Sequence, residues 1–459
     1  MPFDSFIFPL FFALVLALYW AMRSHIRAQN ALIVASSYVF YGWWDPRFLV
    51  LLALSTVIDF FVAQRIEAAR DAGNPTLARR MLQVSLGANL GILAVFKYFN
   101  FFIGSAVDAL AAVGVEAHLP TLKIVLPVGI SFYTFQTLSY SIDVYRGVLP
   151  ASRSVLAFAG YVAFFPQLVA GPIERATRLL PQFDAPRTLD VPRLRSALLL
   201  IVYGFVKKIA IADNMAPLSD YVFALPAEEV SGALVAAGAL AFAVQIYADF
   251  SAYSDIARGT ARLMGFELCV NFNQPYLSLT PSDFWRRWHI SLSQWLRDYL
   301  YVPLGGNRGT VSKTYRNLMA TMVLGGLWHG ASWNFVAWGV FHGAILCVYR
   351  ALRIDDVVER ASRPVRAVAG VVFFAFTLYG WLLFRAGSLD QVVDLTRALF
   401  GSWAGTPLAW SIVANVVFFA WPIAVHHAVA RKLDGEKWAP ASAWGQRLLL
   451  AAVILYGVT

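Results

Sequence analysis

The sequence predicts an all-α, polytopic integral membrane protein, and three observations predict it. Of 459 residues, 59% are Ala, Val, Ile, Leu, Met, Phe, Trp, Tyr or Cys, and only 14% are charged. A soluble domain is nearer half apolar and a quarter charged, so this chain has too few charges to cover a water-facing surface. Apolar runs recur along its whole length, leaving room for about eleven or twelve spans of about 20 residues. Finally, Lys and Arg alternate between successive connections, as they do in chains threaded through a bilayer. Disorder, a disulfide scaffold and an ordinary soluble enzyme are excluded.

Spans are predicted at 6–22, 30–44, 48–64, 81–103, 123–144, 196–213, 231–250, 317–330, 333–349, 366–385, 408–428 and 446–459. Asp4 precedes the first run, while Arg23 and Arg27 follow it. A cleaved signal peptide carries its positive charge on the other side, so this is a first span with its N-terminus outside. The connection 65–80 holds Arg65, Arg70, Arg79 and Arg80, whereas 104–120 and 214–230 hold no Lys or Arg. Basic connections face the cytoplasm, which again puts the N-terminus on the far side. The same rule accounts for the net charge of +10, so no nucleic-acid partner is expected. Cys269 and Cys347 show neither a CxxC nor a Cys/His spacing, and neither a disulfide framework nor a metal site is predicted. No repeat or soluble domain is visible, and residues 1–459 read as one membrane domain.

Two stretches depart from plain spans. Residues 155–195 are interrupted by Pro166, Gly171 and Pro172 and then turn basic. Such a segment suits a re-entrant or interfacial position, tolerated only where protein covers the freed backbone groups. In 271–314, Thr280-Pro-Ser-Asp283 marks a helix start, with a capping hydroxyl, proline in the first turn and an acid three residues on. Trp285, Trp288, His289 and Trp295 then fall largely on one side of that helix. Arg286, Arg287 and Arg297 are placed as on a membrane-surface helix.

Polar groups within spans are costly in lipid and therefore mark function. His25, His118, His426 and His427 lie at span ends or in connections, where solvation explains them. His329 is different. It sits in Leu324-Gly-Gly-Leu-Trp-His-Gly-Ala-Ser-Trp-Asn334, among glycines that let a backbone or a ligand come close. An apolar setting favours the neutral imidazole that a general base needs. A packing histidine bonded to a neighbouring helix fits the same residues. His342, in Trp338-Gly-Val-Phe-His-Gly343, is poorly separated from it by local sequence. Around His289 the arginines suggest a pocket for an anionic ligand, although an interfacial aromatic belt has the same composition. Asp249 and Tyr253 stand four apart on one helical face, where they could orient a histidine, bind a hydroxylated acceptor or simply end a span. Lys97 is expected to snorkel. Asp59 is an intramembrane charge whose partner the sequence does not name. There is no Walker A loop, GxGxxG, HExxH or GxSxG, which argues against nucleotide hydrolysis, zinc proteolysis and a serine hydrolase.

Taken together the motifs resemble those of the membrane-bound O-acyltransferase family, in the branch that O-acetylates alginate. The matching stretches are Lys97-Tyr-Phe-Asn-Phe-Phe102, Leu126-Pro-Val-Gly-Ile-Ser-Phe-Tyr-Thr-Phe135, Ser141-Ile-Asp-Val-Tyr-Arg146 and Phe165-Pro-Gln-Leu-Val-Ala-Gly-Pro-Ile173. They continue through Asp249-Phe-Ser-Ala-Tyr-Ser-Asp255. The most specific are Asp283-Phe-Trp-Arg-Arg-Trp-His-Ile-Ser-Leu-Ser-Gln-Trp-Leu-Arg-Asp-Tyr299 and Gly325-Gly-Leu-Trp-His-Gly-Ala331. The resemblance implies a ring of tilted helices around a central tunnel, with a catalytic core over about 120–350. It gives the catalytic role to His329 and a second functional position to His289. Arg286, Arg287, Arg297, Trp285, Asp249, Tyr253, Trp328 and Asn334 become candidates for holding the acyl donor or the acceptor, with Arg308 at the same mouth.

The implied donor is acetyl-CoA, used as substrate with no bound cofactor, entering from the cytoplasmic side of a bacterial inner membrane. The implied partners are membrane lipid, an acyl-CoA or acyl-carrier donor, and a periplasmic acetyltransferase or acetylesterase-like protein of a polysaccharide export system. The chain stops at Thr459 within an apolar run, so the last span is expected to differ from that branch. Two other readings stay open. A sister branch moves D-alanine from a carrier protein to a cell-wall polymer through the same two histidine motifs. A transporter or channel would explain the spans, but not the ordered histidine motifs.

Overall fold

The computed structural model describes residues 1–116, 121, 124–403 and 405–430. Every regular element among them is helical. They divide into two compact units, Met1–Ala197 with Ala257–Cys269, and Leu198–Ile256 with Val270–Thr459.

The first unit contains α1 (Ile7–Ala21), α2 (Ile26–Gly42), α3 (Phe48–Asp71), α4 (Pro75–Leu93), α5 (Phe99–Ala112) and α6 (Ile130–Tyr145). Three short helices follow, α7 (Val155–Ala163), α8 (Phe165–Leu168) and α9 (Ala176–Asp184), and then the start of α10 (Val191–Phe205). The arginine-rich connection 65–80 is shorter than predicted, because α3 continues to Asp71. Asn74 then caps α4, its side-chain oxygen accepting from Leu77 N–H at 3.0 Å, with Pro75 in the first turn. Asp59 acquires the partners that the sequence left open. Its carboxyl accepts from Ser85 at 2.5 Å, Ser141 at 2.7 Å and Asn89 at 2.7 Å, which ties α3 to α4 and α6. Lys97 does not snorkel. A π-turn at Ala94–Tyr98 brings its ammonium 3.1 Å from the Ser131 hydroxyl on α6. The interrupted segment 155–195 is broken at Phe164, and the Phe165 N–H freed there donates to the Ser37 hydroxyl at 3.1 Å. Protein thus covers the irregular backbone, as membrane depth requires.

The second unit continues α10 through a π-turn at Val206–Ala212 into α11 (Asp213–Ala224), followed by the 32-residue α12 (Gly232–Leu263). Next come α13 (Pro281–Arg287), α14 (Ile290–Leu296), α15 (Val311–His329) and α16 (Trp333–Ala351). The last are α17 (Ile354–Arg360), α18 (Arg363–Arg385), α19 (Leu389–Leu399) and α20 (Pro407–Ala430). Phe242, Tyr247, Phe284, Trp288 and Trp381 lie in its core.

Helices occupy each expected span from 6–22 to 408–428, and the expected span 446–459 lies outside the described residues. Among the described residues, five helices are long and apolar enough to cross a bilayer: Phe48–Asp71, Pro75–Ala112, Gly232–Leu263, Arg363–Arg385 and Pro407–Val425. A sixth candidate joins α16 and α17 across a bend of 65°. Other predicted spans are shorter or more polar for a physical reason seen in α6. Its Thr134, Gln136, Thr137, Ser139 and Ser141 are buried in protein, so that helix is not selected for a lipid-facing surface.

Candidate active site

Close approach of two helices builds the site. A methyl group on Gly326 of α15 would run into the carbonyl oxygen of Phe335, and one on Gly339 of α16 would lie 2.5 Å from the Met322 carbonyl oxygen. Only glycine lets α15 and α16 come this near, and the turn between them sets His329 at the C-terminal end of α15. Asn334 fixes that turn. Its side chain is buried, accepts from the Ser332 hydroxyl and donates to the Ala386 carbonyl at 2.7 Å, beyond the end of α18. Among the candidates it is therefore a positioning residue.

His329 is half-buried, with Trp328, Trp338 and Phe384 rings around it at 5.1, 5.2 and 5.2 Å. It lines a cavity of about 180 Å³ together with Trp285, Ser293, Leu296, Arg297 and Trp338. His342, 6% exposed, lies behind that wall, with its ring 4.6 Å from Trp338 and 5.2 Å from Trp285.

The single surface helix predicted from Thr280 is instead two. The start is as expected, with Thr280 capping the Asp283 N–H at 3.3 Å. α13 then ends at Arg287, the chain breaks, and α14 begins after His289, whose φ of 42° is left-handed. A non-glycine residue held there is strained, and Asn271 is what holds it. The Asn271 carbonyl accepts Ile290 N–H at 2.9 Å. Its side-chain oxygen accepts Ser291 N–H at 3.2 Å and the Ser291 hydroxyl at 2.9 Å. The same oxygen lies 3.2 Å from His289 Nδ1. An oxygen already accepting from Ser291 can only accept from the imidazole, so His289 carries its proton on Nδ1 and presents Nε2 as the acceptor nitrogen. Burial pushes this imidazole well below its usual range, and the nearby His329 pushes in the same direction.

The two histidines meet through one indole. The Trp328 ring is 6.0 Å from His289 and 5.1 Å from His329. Phe250 of α12 closes the other side of His289 at 4.7 Å.

Other candidates lie elsewhere. Asp249 pairs with Lys208 at 3.0 Å, and that ammonium lies 5.7 Å from the centre of the Tyr253 ring. Asp255 pairs with buried Lys207 at 2.6 Å. The π-turn at Val206–Ala212 thus places successive lysines against α12. Arg287 pairs with Asp283 at 2.8 Å, while Arg286 and Arg308 are exposed. Of the four arginines only Arg297 lines the cavity, beside its partner Asp298 at 2.6 Å. Sequence reasoning missed Asn271, which is 18 residues from the His289 it supports and carries no local signal. Trp338 was visible only as part of the His342 motif.

The sequence also compares directly with known proteins. The family model of the membrane-bound O-acyltransferases matches residues 146–386. The chain is 46% identical to a probable alginate O-acetylase of Azotobacter vinelandii over 88% of this chain and 79% of that one. It is 44% identical to a probable alginate O-acetylase of Pseudomonas aeruginosa, over 88% and 76%. A peptidoglycan O-acetyltransferase of Helicobacter pylori is 35% identical over 80% and 73%.

Proposed function

Because the chain belongs to the membrane-bound O-acyltransferase family, and so is a multi-pass membrane acyltransferase, we propose that it moves acetyl from acetyl-CoA toward an exported polysaccharide such as alginate. The observation that carries this reading is the single cavity in which His329 and Arg297 stand together. A guanidinium at the mouth suits the phosphates of coenzyme A. The small volume behind it suits a short acyl group, and the imidazole suits a hydroxyl nucleophile.

In this mechanism His329 takes the acceptor's hydroxyl proton as its oxygen bonds to the thioester carbon. The tetrahedral intermediate collapses, the carbon–sulfur bond breaks, and the thiolate leaves with the proton from His329. His289, with Nε2 as acceptor, orients the hydroxyl or the donor, and Trp328 keeps the two imidazoles in register. The names of the relatives support acetyl as the acyl group and polysaccharide as the final acceptor. The Lys/Arg asymmetry supports a cytoplasmic donor side, an inner-membrane location and a periplasmic N-terminus. On that topology a periplasmic acetyltransferase or acetylesterase-like partner receives the group or completes its transfer.

The test is incubation of purified protein with acetyl-CoA labelled in the acetyl group, with alginate oligosaccharide, and with and without the candidate periplasmic partner. Label in oligosaccharide or partner supports the reading. Label in neither, with donor demonstrably bound, rejects it.

A further inference from the structure

Two indole N–H groups beside His329 are unspent. Trp285 and Trp338 both line its cavity, and the Nε1 of each is buried with no hydrogen-bond partner among the described residues. Trp338 is only 2% exposed. Folded proteins rarely leave a buried donor unpaired, because nothing repays its lost hydration, and each exception calls for an explanation. Here two exceptions are neighbours, with ring centroids 5.7 Å apart at 88°. Trp338 is also the ring 5.2 Å from His329.

The cavity's other polar side chains are already committed. The Ser293 hydroxyl donates to the Trp288 carbonyl at 3.2 Å and the Thr321 hydroxyl to the Asn317 carbonyl at 2.7 Å. Tyr301 donates to Asn307 at 2.5 Å, and Arg297, beside Asp298, is the group assigned to the donor's phosphates. An indole N–H is neutral and can only donate. Its natural counterpart is an oxygen that only accepts, and one that gains negative charge gains most from it.

We propose that the N–H groups of Trp285 and Trp338 form the subsite for the carbonyl oxygen of the acyl thioester. This rests on the reading of His329 as the base in acyl transfer. As the acceptor oxygen bonds to the carbonyl carbon, the carbonyl π pair moves onto oxygen, and the indoles hold that oxyanion. The pair returns to the carbon–oxygen bond as the carbon–sulfur bond breaks. The role requires both donors to come within about 2.7–3.1 Å of that oxygen.

The test compares Trp338→Phe, Trp285→Phe and His329→Ala with protein carrying benzothienylalanine at 338, in which sulfur replaces the N–H and the ring shape stays. The proposal predicts that both Phe variants and the benzothienyl protein lose about 10²–10³-fold in kcat, with the donor KM nearly unchanged. Wild-type activity in the benzothienyl protein would reduce Trp338 to packing and overturn the proposal. A raised donor KM at normal kcat would also overturn it, placing the N–H groups on a ground-state oxygen of the donor instead. Inactive His329→Ala beside fully active tryptophan variants would reject this subsite while leaving the base intact. Active His329→Ala would reject the reading beneath it.

Discussion

The side-chain oxygen of Asn271 lies 3.2 Å from Nδ1 of His289, at the residue where the chain turns left-handed. The same oxygen accepts both donors of Ser291, so one amide holds a strained backbone and selects a tautomer. Asn271→Ala should leave three donors unpaired and cost about 1–3 kcal/mol of stability for each that stays buried. Acetylation should fall with it. Asn271→Asp, which keeps an acceptor, should retain more stability than the alanine variant in thermal unfolding. Equal stability of the two would contradict this role.

Backbone strain at His289 can be separated from its chemistry. His289→Gly and His289→Ala both remove the imidazole, but glycine adopts a φ of 42° freely, whereas a Cβ there costs about 1–2 kcal/mol. The glycine variant should unfold at the higher temperature, with both variants inactive. A less stable glycine variant would show that the left-handed turn is not strained.

Arg297 and Arg286 should differ in their effect on the donor. Arg297 lines the His329 cavity and Arg286 is exposed elsewhere. Arg297→Ala should raise the donor KM about tenfold to a hundredfold, equivalent to about 1.5–3 kcal/mol for a charge-assisted bond. Arg286→Ala should change it little. Similar KM values for both variants would remove Arg297 from donor binding.

The space around two helical glycines, one at the contact between α15 and α16 and one on α4, predicts opposite effects of alanine. Gly326→Ala drives a methyl group into the Phe335 carbonyl and should destabilise by about 1–3 kcal/mol or displace His329. Gly87 is exposed on α4 with nothing within 4 Å of its would-be methyl. There alanine should stabilise by about 0.5–1 kcal/mol. Thermal unfolding of the two variants side by side decides.

These sites show how far the sequence could be read. Apolar runs located the helices because lipid imposes a length and a composition on those that face it. The Thr280 cap was legible because its signal is local. The break at His289 was not, since no glycine or proline marks it and its cause is Asn271, 18 residues away. Nor were the partners of Asp249 and Tyr253 legible, because the π-turn at Val206–Ala212 changes which way successive lysines face. Motif resemblance named both histidines, and only the folded chain shows that Trp328 lies between them.

The most direct measurement is the turnover of labelled acetyl-CoA by well-folded, membrane-inserted His329→Ala protein, with His342→Ala as the comparison. Acetyl transfer should fall by about 10²–10⁴-fold in the first variant, the scale of a lost general base, and much less in the second. Near-normal turnover in His329→Ala, or a full loss confined to His342→Ala, would contradict it.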